Sequence, residues 1–326
     1  MSQHFLLSSR AKTLSLASVL RMTDEEAEAT FIRVRWPGGK PVCPHCECPI
    51  VWDCRRANGT ARWRCKACRK SFSVTSGTIF AFRKMSLRNY LAAIAIFCNE
   101  VKGKSALALS RDLQVHYRTA FVLAHKVREA MASEMRGMHL GGEGETVEVD
   151  GMYAGGYIKP ANLKENRRDR RKAKNQNGKR RVVVVVRERG GRTLPAVFRS
   201  EAAAQGWIKA RVAKETRLMA DEAPSWNDLH ARFQVERIDH GQAYSLPGGI
   251  YTNGSESFFS RVRRGEVGHY HHISGPYLVR YAQESAWRED HRRLDNGRQV
   301  ELISGLAMAC GPSVDWCGYT QRHLAH

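Results

Sequence analysis

The spacing of apolar positions along the chain changes character more than once. From about 8 to 36 it is helical, and "TDEEAEATFIRVRW" opens on Thr23, a predicted N-cap with acids in the first turn behind it. Pro37, Gly38 and Gly39 stop that run. Helical spacing returns over about 85–138. "SLRNYLAAIAIFCNE" begins with a Ser N-cap, and "KSALALSRDLQVHYRTAFVLAHKVREAMASEM" continues it, with a break expected near Gln114. The glycine-rich "HLGGEGE" (139–145) marks a boundary, and strand patterns follow. "TVEVDGMYAGG" alternates, "RRVVVVVRERGGRTLPAVF" predicts a hairpin around Gly190-Gly191, and "TRLMADEA" predicts another short strand. Helical segments after these strands predict a mixed α/β domain.

The expected fold class is therefore α+β and multidomain. The expected domains are an N-terminal helical segment (1–39), a cysteine module (40–75), a helical region (85–138), a mixed α/β domain (146–295) and a C-terminal tail (296–326).

Charge narrows the class of partner. The chain of 326 residues carries 53 Lys+Arg against 32 Asp+Glu, a formal net charge of +21, which points to a polyanion. No run approaches 18 apolar residues, so no membrane partner or span is expected. The N-terminal stretch has no compact apolar core before a small-residue cleavage site, and it reads as amphipathic rather than as a signal peptide. Nine cysteines, six of them between 43 and 68, do not form the even framework of a small secreted domain. They suggest a reducing compartment, taken here as the cytoplasm, and one metal site.

That site is "CPHC" followed by "CKAC": Cys43, Cys46, Cys65 and Cys68, with 18 residues between the two pairs. Each Cys-x2-Cys turn aims two thiolates at one point, and two such turns supply the tetrahedral set of a structural Zn²⁺. Short β-like runs between them give the layout of a zinc ribbon. Arg55, Arg56, Arg62, Arg64, Lys66, Arg69 and Lys70 surround it as a basic, phosphate-facing surface.

Two further segments suggest DNA. "KSALALSRDLQVHYRTAFVLAHKVREAM" fits a helix-turn-helix whose turn is Leu113-Gln114-Val115 and whose second helix presents His116, Tyr117, Arg118 and Thr119; an ordinary helical hairpin fits as well. "KENRRDRRKAKNQNGKRR" (164–181) holds ten Lys/Arg and two acids. A charge run is usually a solvated loop, but this one lies between two strands of the α/β domain, where Arg167, Arg168, Arg170 and Arg171 suit a DNA backbone.

Three acids complete the pattern. Asp150 closes the strand-like "TVEVD", Asp221 closes "TRLMAD", and Glu256 lies 35 positions later in the helical "SESFFSRVRR". Acids on two strand ends and one helix can converge on Mg²⁺ or Mn²⁺, which prefer hard oxygen ligands. Such ions activate a water or 3′-hydroxyl and stabilise the leaving oxygen of a phosphodiester. Arg263, two helical turns beyond Glu256, is placed to meet a phosphate.

These stretches resemble bacterial insertion-sequence DDE transposases of the ISXO-like group that carry an N-terminal zinc ribbon. The resemblance runs through "RWPGG", "CPHC", "CKAC", "FSVTSGTIF", "VEVDGMYAGG", "ADEA", "DHGQAYS", "YTNGSESFFSRVRRGEVGHYHHIS" and "YLVRYAQESAWRED". It implies a ribonuclease-H-like catalytic domain over 146–295, double-stranded DNA partners (the element's terminal inverted repeats and a target), and a homo-oligomer in the DNA complex. It implies Asp150 and Asp221 as the first two catalytic residues. The family's third residue is Glu or Asn, which leaves Glu256, favoured for its charge, or Asn253. His240 matches a family histidine that lines the site or simply packs. Tyr251 departs from the family's usual His. A DNA-binding regulator that keeps the ribbon and helix-turn-helix without catalysis is the alternative reading.

Overall fold

A computed structural model describes residues 5–55, 59–156, 158–169, 175 and 177–324. The chain forms two compact units, one from its first 134 residues together with those from His291 onward, the other Met135–Asp290.

The first unit begins with helices α1 (Leu16–Arg21) and α2 (Asp24–Arg35). Thr23 caps α2 in a capping box with Glu26, as its position before three acids predicts. The cysteine module follows as three short antiparallel strands, β1 (Val51–Asp53), β2 (Trp63–Cys65) and β3 (Ser71–Phe72). Trp36 and Trp63 meet edge to face with centroids 5.3 Å apart, and Phe72 joins them. Helices α3 (Leu87–Asn99), α4 (Ala106–Asp112) and α5 (Tyr117–Ser133) come next. Alanines and large apolar residues together bury nearly all of α3, which packs on α1 and α2.

The second unit is built on a five-stranded sheet of β4 (Thr146–Ala154), β5 (Arg181–Glu188), β6 (Thr193–Phe198), β7 (Arg217–Asp221) and β8 (Gln234–Ile238), in the order β6-β5-β4-β7-β8. The first three strands form an antiparallel meander; β7 and β8 add in parallel on the β4 side. Val182–Val186 on β5 are fully buried, which explains why this strand reads as a continuous apolar run rather than an alternation. Helix α6 (Gln205–Arg211) connects β6 to β7. Helix α7 (Asn253–Gly265) lies on β4 and β5, and α8 (Leu278–Asp290) lies on β5 and β6. Trp287 on α8 is fully buried.

The chain then returns to the first unit with α9 (Asn296–Ala309), which packs on α2, α3 and α5. This differs from the tail expected over 296–326. Val300, Ile303 and Ala307 form a narrow buried stripe, too short a pattern to stand out against its polar and glycine neighbours.

Candidate active site and metal centre

The two cysteine pairs adopt matching turns. In each, the first cysteine's N–H donates to a carbonyl five residues on (Cys43 to Cys48, 3.1 Å; Cys65 to Lys70, 3.0 Å). Its own carbonyl accepts from the residue four on, Glu47 or Arg69, which takes a positive φ of 59° or 60°. These turns bring all four Sγ atoms within 4.8 Å of one another. Cys43 Sγ lies 3.6 Å from Cys68 Sγ, and Cys46 Sγ 3.5 Å from Cys65 Sγ. A tetrahedral zinc with four thiolates spaces its sulfurs by about 3.8 Å, so the set fits Zn²⁺ with no open position for substrate. Cys48 and Cys54 stand outside the group.

In the second unit, β4 and β7 bring Asp150 and Asp221 together. Their parallel register pairs Val149 with Ala220, so the two acids are the next residues on neighbouring strands. Asp150 is not at a strand end as expected: pairing with β5 carries β4 on to Ala154, and only the parallel pairing with β7 stops before it. Burial, then the charge of Asp221, pushes the Asp150 carboxyl up to about 7; Glu201 and Glu256 add to this, and the Gly151 N–H opposes it. Asp221 Oδ1 accepts from the Trp226 indole N–H at 2.6 Å and from the Ala223 N–H at 3.2 Å, which orient it.

Glu256 sits in the first turn of α7, and Asn253 is that helix's exposed first residue. His240 lines the site: its Nε2 is 2.9 Å from Thr252 Oγ1 and 3.3 Å from Glu256 Oε1. The carboxylates of Asp150, Asp221 and Glu256 do not all come within 4.8 Å of one another; among the described residues the four cysteines are the one group that does.

Two acids near this site were not singled out in the sequence. Glu201 packs where a Gly151 side chain would stand, 2.6 Å from an ideal Cβ, and burial followed by the charge of Asp221 raises its pKa, against a hydrogen bond from Ser225. Glu148 is buried beneath α7. Glu148 had a signal, a charge in phase with Asp150 on an apolar strand; Glu201, in a loop after β6, had none.

The expected DNA contacts are spread over both units. The turn between α4 and α5 falls at Leu113–Val115, with Gln114 at φ +51°, and His116, Tyr117, Arg118 and Thr119 are exposed at the start of α5. Arg64, Lys66, Arg69 and Lys70 are exposed on the cysteine module; Arg56 lies outside the described residues. Arg167 and Arg168 are exposed, with the Arg167 guanidinium donating to the Ala161 and Asn162 carbonyls at 3.2 Å. Arg170 and Arg171 lie outside the described residues. Arg263 is exposed on α7.

A four-thiolate ribbon and a mixed sheet with paired acids define a zinc-ribbon protein with an α/β domain whose sheet brings two aspartates together. Comparison with known proteins makes this specific. Residues 139–290 match the ISXO2-like transposase domain, and residues 22–71 match the transposase zinc-ribbon domain. The chain thus carries an ISXO2-like transposase domain and a transposase zinc ribbon. It is also 23% identical over 252 residues to an uncharacterized protein in transposable element ISH50 of Halobacterium salinarum, covering 74% of this chain and 83% of that protein. No solved structure matches the chain. No described helix is long and apolar enough to cross a membrane.

Proposed function

We propose that this protein is a DDE-type DNA transposase that binds the terminal inverted repeats of its element, cleaves there and joins the freed end to target DNA. The observation that carries this reading is the side-by-side placement of Asp150 and Asp221, with Glu256 close enough to raise the Asp150 pKa further. The sheet order, a three-strand meander extended by two parallel strands, supports a ribonuclease-H-like reading of this domain.

The residues fit a divalent cation. Carboxylate oxygens are the hard ligands that Mg²⁺ or Mn²⁺ prefers, and a positive charge would relieve the crowding that raises the Asp150 pKa. When bound, the metal supplies Lewis-acid stabilisation of the attacking and leaving oxygens. Asp150, Asp221 and Glu256 would hold it, with Asn253 the alternative third residue. The Trp226 indole orients Asp221, and His240 steadies Glu256. In the first step a water attacks the phosphodiester at the element end and frees a 3′-hydroxyl. In the second that hydroxyl attacks a target phosphodiester, forming a new bond to its phosphorus while the target strand's own 3′-oxygen leaves and takes up a proton as a free 3′-hydroxyl. The helix-turn-helix formed by α4 and α5, the basic ribbon and residues 164–181 bind the DNA, with the protein acting as a homo-oligomer in the DNA complex.

The test is incubation of the purified protein with element-end DNA, a target plasmid and Mg²⁺. Metal-dependent nicks and joined products are expected. Binding without either product would leave the regulator; nicks without joining would leave a nuclease.

A further inference from the structure

We propose that Glu148 is a positioning residue that caps helix α7 from strand β4 and so fixes Glu256 relative to Asp150; this rests on the reading of Glu256 as a site carboxylate. Glu148 lies two residues before Asp150, so both side chains leave the same face of β4. It is only 2% exposed, a rare position for a carboxylate. Its Oε2 accepts from the Ser255 N–H at 2.9 Å, and its Oε1 accepts from Arg189 Nε at 3.1 Å.

Helix α7 lacks an ordinary cap. Its N-cap residue, Thr252, makes no capping hydrogen bond and turns its hydroxyl to His240. The first amides of a helix have no partner within it, and its N-terminal end favours a negative charge. Glu148 supplies both acceptor and charge from another element. The approach is close enough that a Cβ on Gly254 would stand 2.7 Å from Glu148 Oε2. Space, not backbone conformation, therefore calls for glycine there.

The same network holds the segment leading into α7. The Arg189 guanidinium donates to the Gly249 and Tyr251 carbonyls at 2.7 and 2.6 Å and lies over the Tyr251 ring. Arg187 donates to the Gly254 carbonyl at 3.1 Å. Glu256 is the residue after Ser255, so a shift of this turn moves its carboxylate directly. Residues that orient metal ligands typically change metal affinity by about 10- to 100-fold when replaced.

The experiment uses full-length, zinc-loaded protein with two readouts: Mn²⁺ affinity from the electron paramagnetic resonance of free Mn²⁺, and hydrogen exchange across 251–258. Glu148→Ala and Gly254→Ala should each speed exchange in the first turn of α7 while leaving β5 protected. Each should weaken Mn²⁺ binding about tenfold. Glu148→Gln, which keeps one acceptor for the Ser255 N–H, should recover most of the affinity. Glu148→Ala combined with Glu256→Gln should bind no more weakly than Glu256→Gln alone, because Glu148 acts through Glu256.

Unchanged exchange, or wild-type Mn²⁺ affinity in Glu148→Ala while Glu256→Gln binds weakly, overturns the proposal. So does Gln performing as badly as Ala, which would mean that only the Arg189 ion pair matters. Wild-type affinity in Glu256→Gln would instead overturn the assignment of Glu256, and this proposal with it. If Glu148→Ala does not fold, Gly254→Ala carries the same test with Glu148 in place.

Discussion

Asp150 and Asp221 stand abreast on adjacent parallel strands, one step beyond the Val149–Ala220 pair. Burial and the charge of its neighbour together make Asp150 reluctant to ionise, and its carboxyl titrates at about 7. The pair is thus strained when anionic and ready to be relieved by a cation.

That strain gives a pH-dependent stability. The folded pKa of Asp150 lies above its ordinary value of 3.8, so the folded protein keeps a proton the unfolded chain has released. The stability this contributes is complete below about pH 4 and is lost as pH rises through about 7. In magnesium-free buffer, Asp150→Asn should be more stable than wild type at pH 8. Partial exposure keeps the gain on the order of 1–3 kcal/mol. Urea unfolding at pH 4 and pH 8 checks this; a stability difference that is the same at both pH values counts against it.

Removing single carboxylates tests the chemistry. Asp150→Asn, Asp221→Asn and Glu256→Gln change volume little and should preserve fold and DNA binding, while cleavage falls at least about 100-fold. Asn253→Ala is the control for the third position. Loss of cleavage in Asn253→Ala with near-normal activity in Glu256→Gln would move the assignment to Asn253. Wild-type cleavage by all four variants would end the DDE reading.

The ribbon should carry about one zinc per chain, read by elemental analysis. Cys65→Ser removes one of the four sulfurs gathered within 4.8 Å. It should release the metal and unfold the cysteine module, leaving the sheet of the second unit folded. Full zinc content in this variant would refute the ligand set.

Replacing Arg167, Arg168, Arg170 and Arg171 with Ala should weaken binding to all DNA sequences alike and flatten its salt dependence, with a slope change of about 0.9 per lost phosphate contact. Binding isotherms across a salt series measure it. Selective loss on element ends with an unchanged slope would mean base readout instead.

Features made by neighbours in the chain were legible in advance. Two cysteines two residues apart build their own turn, so Cys43, Cys46, Cys65 and Cys68 announced a metal site without the fold. Thr23 before three acids announced the start of α2, and the valine run before Gly190-Gly191 announced the first strand of a hairpin. Features made by distant segments were not. Asp150 and Asp221 could be suspected separately, but only the parallel pairing of β4 with β7, 71 positions apart in register, puts them side by side. Glu148 and Ser255 are 107 residues apart, and nothing local says that a strand carboxylate caps that helix. Glu201 approaches Gly151 through packing alone, and α9 finds its place because α2, α3 and α5 leave an apolar surface for its narrow stripe. Local hydrogen bonding and side-chain spacing set the elements, whereas strand register and burial, which depend on the whole chain at once, decided which acids meet.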